Sequence, residues 1–169
     1  MLKTISAALA AFTLIACPVH AQVAAGSATS KPAAAGPVDW TPIFKSWERG
    51  CEFSSELSAL VKGMVEKRVV IPATYQAAAG KISRRKDQGY DFIRLPIQGT
   101  YYGLAVSAVE FYSMPETDDN GVSLILSASK QEVKKVLSRV KYNKVTNDVG
   151  DEKQALVQLD GQQRSVECY

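Results

Sequence analysis

Residues 122–128 constrain this chain more than any other stretch. Val122, Leu124, Leu126 and Ala128 alternate with Ser123, Ile125 and Ser127, the period-2 pattern of a strand with one buried face. Such a strand needs partners, and its neighbours in sequence supply them. Upstream, Ile93, Leu95 and Ile97 alternate with Phe92, Arg94 and Pro96; the proline marks an edge position or the end of pairing, because it has no N–H to give to a ladder. Gly99 is read as a turn. Tyr101-Tyr102-Gly103 then opens a longer strand, in which Leu104, Val106 and Ala108 keep one parity and Val109 and Phe111 the other. That phase change predicts a bulge near Ala108 or a strand covered on both faces. Asn120-Gly121 is read as the hairpin turn into 122–128. Downstream, Ser129-Lys130-Gln131-Glu132 is a capping box that starts a helix, with Val133, Val136, Leu137 and Val140 on one stripe and Lys130, Lys134, Lys135 and Arg139 mostly off it. Residues 90–140 therefore read as three strands feeding an amphipathic helix.

The flanking segments fit around this core. Thr41 is read as an N-cap with Pro42 at the first helical position, and Ile43, Phe44 and Trp47 share a face that ends at Gly50. Ser54 or Ser55 caps a second helix, in which Leu57, Leu60, Val61, Met64 and Val65 form the inward stripe; Trp40 and Trp47 are read as buried. Val69, Val70 and Ile71 read as a short strand ended by Pro72. Lys81, Arg84, Arg85 and Lys86 read as a solvated basic loop, with Gly89 turning into the next strand. The loop 116–121 imitates the first half of a calcium loop, but position twelve would be Ser127 and strands flank it, so it reads as an acidic hairpin turn with no metal. After a polar connection over 142–153, residues 155–159 and 164–168 form a last hairpin about Asp160-Gly161. A three-residue turn there, setting Leu156 against Val166, is preferred to a two-residue turn that sets Val157 against Arg164.

At 169 residues with 46% apolar content, the chain has enough material for one core. The expected fold is α+β: a mainly antiparallel sheet with helices packed on one face, in a single disulfide-closed domain over 39–169.

The first 38 residues are of another kind. Lys3, an uncharged run over 4–16 and the small-x-small site Val19-His20-Ala21 make residues 1–21 a secretory signal peptide. Residues 22–38, rich in Ala, Gly, Ser and Pro, are a flexible linker that cannot bury enough apolar area to order itself. A periplasmic or secreted protein follows, with no transmembrane segment in the mature chain. The competing reading takes Leu14-Ile15-Ala16-Cys17 as a lipobox and the protein as an outer-membrane lipoprotein anchored through Cys17, a structural accessory of the cell envelope. Removing the leader leaves Cys51 and Cys168, an even pair for an oxidising compartment, and these are expected to form a disulfide.

Chemistry is limited by what is missing. His20 is the only histidine and lies in the leader, which removes Ser-His-Asp, Cys-His and histidine–metal arrangements. No Gly-rich phosphate loop is present, and no cofactor is implied. Removing Lys3 takes the net charge from +3 to +2, too weak a balance for nucleic acid. The expected function is a non-enzymatic binding protein, an inhibitor or immunity protein acting on another macromolecule; the second alternative is a histidine-independent hydrolase. The partner would be a protein or an anionic envelope component. The expected contact surface is Lys81, Arg84, Arg85 and Lys86, with Tyr101 and Tyr102 as the aromatic anchor.

Overall fold

Alternation over residues 90–126 becomes the centre of a six-stranded antiparallel sheet. The computed structural model describes residues 36–169 except Val69, Asp118, Asn147, Val149, Gly161 and Gln162. The leader, Cys17 and most of the linker thus lie outside the described residues. The strands are β1 (Ser83–Asp87), β2 (Tyr90–Tyr101), β3 (Leu104–Ser113), β4 (Asn120–Leu126), a two-stranded side ladder of β5 (Val145–Thr146) and β6 (Glu152–Lys153), then β7 (Leu156–Gln158) and β8 (Arg164–Cys168). The large sheet runs in the order β1-β2-β3-β4-β8-β7.

Residues opposite one another in an antiparallel pair point to the same face, so the register sorts the side chains. Leu95, Val109, Leu124, Val166 and Val157 form one row across the sheet, and Ile93, Phe111, Val122 and Cys168 another. This is the buried face. Against it pack Ile43 and Phe44 of α1 (Thr41–Phe44), Trp47 of the following 3-10 turn (Lys45–Glu48), Leu57, Leu60 and Met64 of α2 (Ser55–Val65), and Val133 and Leu137 of the capping-box helix (Lys130–Leu137). Ala108 and Ile125, of opposite parity, are buried but stand outside this cluster. The fold is α+β. Ser54 caps α2 by accepting from the Leu57 N–H, and both halves of the Ser129–Glu132 box form, so that helix starts where its sequence dictates. Cys51 and Cys168 are disulfide-bonded, with Cα atoms 5.5 Å apart and a sequence separation of 117.

Several local expectations are corrected. Gly99 does not turn the chain: β2 runs through it to Tyr101, and the turn is the two-residue Tyr102-Gly103, both with positive φ (51° and 78°). Gly99 is a bulge where the N-terminal segment crosses, its added Cβ meeting the Val38 carbonyl oxygen at 2.1 Å. Thr41 is not the N-cap; Trp40 is, and the Thr41 hydroxyl accepts from the Tyr102 N–H instead. Asn120-Gly121 is the start of β4, not the turn before it, which is closed by the Met114 N–H donating to the Asp119 carbonyl. Val70 and Ile71 are not in a strand; the extra strand is the basic segment itself, β1, a two-residue Gln88-Gly89 turn away from β2. In the last hairpin neither expected register occurs. Val157 lies opposite Val166 and Leu156 opposite Glu167, which sends Val157 to the core and leaves Leu156 exposed. The bulge near Ala108 is present, between Val106 and Ala108.

Candidate functional site

Basic residues 81–86 were expected to act as one patch, and strand alternation divides them. Arg84 turns toward α2, where its Nη2 donates to the Met64 and Val65 carbonyls at 2.9 and 2.6 Å and so ends the helix. Arg85 turns to the opposite face and pairs with Asp87 and Glu110. Lys86 pairs with Asp91 at 2.9 Å. Lys81 and Arg84 line a cleft of about 520 Å3 together with Lys67, a residue the sequence did not flag. The run has a structural role that a loop reading misses: β1 is an edge strand, and charged side chains along an edge discourage pairing with another chain.

Tyr101, one half of the expected aromatic anchor, offers no surface to a partner. Tyr101 is fully buried, packed edge-on against Phe44 and hydrogen-bonded through its hydroxyl to Tyr142 at 3.0 Å; burial pushes its phenol far up. Tyr102 is half-buried and donates its hydroxyl to Glu48. Tyr101 is the last residue of β2 and Tyr102 the first of the two-residue turn, which sends one ring into the core and leaves the other at its margin.

The face of the sheet opposite the helices holds Arg85 together with residues that the sequence did not single out as a site. Arg85, Phe92, Tyr112 and Gly121 lie in one row, and Arg94, Glu110, Ser123 and Glu167 in the next. Phe92 and Tyr112 are joined by Tyr90 in an aromatic trio, with ring centroids 5.9–6.2 Å apart and planes inclined at 43–74°. Gly121 makes this possible, since a Cβ there would stand 2.4 Å from the Tyr112 hydroxyl. Glu110, nearly buried, is held by Arg85 at 3.3 Å and Arg94 at 3.4 Å, and Arg85 also lies 3.6 Å above the centre of the Phe92 ring. Asp119 accepts from the Tyr90 hydroxyl at 2.6 Å and Glu167 from the Ser165 hydroxyl. Burial, then the charges of Asp119 and Glu167, push the Tyr112 phenol up to about 12. Arg94 further bonds Gln163 at 3.0 Å, a link from β2 to the segment before β8 that passes over β3 and β4.

Parity alone could have found half of this. Tyr90 and Phe92 share the parity opposite Ile93 and Leu95, and Glu110 and Tyr112 the parity opposite Val109 and Phe111. That they adjoin needs the register, which is a tertiary fact.

Among the described residues no group of three or more His, Cys, Asp or Glu is placed to hold a metal ion, and no helix is long and apolar enough to cross a membrane. No protein-family model, characterised protein or solved structure matches the chain.

Proposed function

We propose that this is an exported, non-enzymatic binding protein that acts on another protein, as an inhibitor or immunity protein does, and that it docks through the open face of its sheet. The observation that carries the reading is the aromatic trio Tyr90, Phe92 and Tyr112 on the face that the helices leave uncovered. Aromatic side chains are among those that supply binding energy at protein interfaces, and these three are only half-buried, so part of each ring stays open to a partner. A leader followed by two mature cysteines that bond to each other suits an oxidising compartment. Against a hydrolase stands the state of Glu110, both of whose oxygens are taken by guanidinium groups and so are not offered to a substrate proton.

The test uses the full chain, exported under its own leader and recovered from the periplasm, as bait for capture from the same compartment. A partner held by the wild type is expected to be lost with Phe92→Ala and kept with the double substitution Lys81→Ala, Lys86→Ala. The reverse pattern would return the contact to the basic segment, and a wild type that captures no more than Phe92→Ala would remove the reading.

A further inference from the structure

Resting on that reading of the open face, we infer that the cavity beside the aromatic trio receives a cationic side chain, a guanidinium or ammonium group, of a basic protein partner. The protein already contains one such arrangement, filled from within. Arg85 lies 3.6 Å over the Phe92 ring centre while its Nη2 donates to Glu110 at 3.3 Å, so a cation there meets a ring face and a carboxylate together. Next to it the same ingredients recur around a cavity of about 340 Å3, lined by Tyr90, Tyr112, Asp119, Ser123 and Glu167 as well as Phe92 and Glu110. Of the three carboxylates here, Glu110 is already paired with Arg85 and Arg94, and the other two have no internal cation. Neither Asp119 nor Glu167 forms an ion pair with a described residue, each accepting instead from a neutral hydroxyl.

Charge on this face has the sign that a basic partner needs. Asp87, Glu110, Asp119 and Glu167 face the trio or border it, against Arg85 and Arg94, which gives four carboxylates to two cations in a chain whose formal net charge is +3. Like-charge encounter with a basic partner, which the basic segment opposes, is relieved on this side of the sheet. A neutral sugar is the rival occupant. Sugars stack on flat, accessible ring faces, whereas these rings meet at 43–74° and enclose a space rather than form a platform.

The full chain is titrated by NMR with Nα-acetylarginine amide, with the citrulline analogue of the same shape and no charge, and with a neutral oligosaccharide, cellotetraose. Saturating shifts of the Tyr112 and Ser123 amides are expected with the arginine compound at millimolar concentration, and none with the other two. Glu167→Gln and Asp119→Asn, which keep the hydroxyl partners satisfied, should each weaken it about tenfold, and salt should weaken it further. Equal shifts with citrulline, saturation by cellotetraose alone, shifts mapping elsewhere or no saturation with arginine would each overturn the inference. Partner capture separates it from the reading beneath it: capture lost with Phe92→Ala but unchanged in the Asp119→Asn, Glu167→Gln double variant leaves the open face as the docking surface and removes the cation.

Discussion

Two glycines show how one atom has different consequences in different surroundings. Gly99 has φ of 138°, and an added Cβ would meet the Val38 carbonyl oxygen at 2.1 Å and the Trp40 ring at 2.9 Å. Nothing there moves cheaply, because Trp40 is buried and its segment is pinned by the Trp40 N–H to Thr100 carbonyl bond at 2.7 Å and the Thr100 N–H to Val38 carbonyl bond at 2.8 Å. At Gly121, where φ is not positive, the clash is with the free end of Tyr112, a side chain that can swing away. Gly99→Ala should therefore cost about 2–4 kcal/mol in chemical denaturation and Gly121→Ala under about 1 kcal/mol. Only the second should displace the Tyr112 ring resonances. Equal costs at the two positions would contradict this account of both.

At the scale of elements, the basic strand ties a helix to the sheet. Arg84 supplies donors to two carbonyls at the end of α2, of Met64, which also accepts from the Lys67 N–H at 3.4 Å, and of Val65, and Lys67 at φ of 60° turns the chain away just beyond. Arg84→Met keeps the stem and removes the donors; it should cost about 1 kcal/mol and speed amide exchange in the last turn of α2. Lys86→Ala breaks an exposed pair with Asp91 and should cost less than about 0.5 kcal/mol with no such change. Both residues lie in the same run of cations, and nothing in the run distinguishes them. The difference arises because Arg84 stands beside a helix end and Lys86 beside solvent and one carboxylate.

Across the whole molecule the Cys51–Cys168 bond closes nearly all of the described chain, joining the segment between α1 and α2 to the central part of the sheet through β8. Gly50 and Cys51 both take positive φ there, and Val145 packs where a Gly50 Cβ would be. In the chain-entropy model a loop of this length is worth roughly 4–5 kcal/mol, so the reduced protein should unfold at markedly lower denaturant with a similar native spectrum. A midpoint that does not move on reduction would show that the loop is held closed without the bond. Sequence alone determined the α+β class, the Ser129 cap, the cysteine pair and the Leu57, Leu60 and Met64 stripe of α2, whereas Val65, expected on that stripe, is exposed; it left the α2 cap between Ser54 and Ser55, and the phase change at Ala108 between a bulge and a strand covered on both faces. What it determined follows from local periodicity, a fixed short spacing or the parity of a count. Tertiary structure decided that Gly99 is a crossing point and not a turn, that Tyr101 belongs to the core, that residues 83–87 are an edge strand, and that Tyr90, Phe92, Tyr112 and Glu167 adjoin. Those facts depend on which strand lies beside which and in what register, and that is set by the burial of one whole face at once, a quantity that no window of the sequence contains.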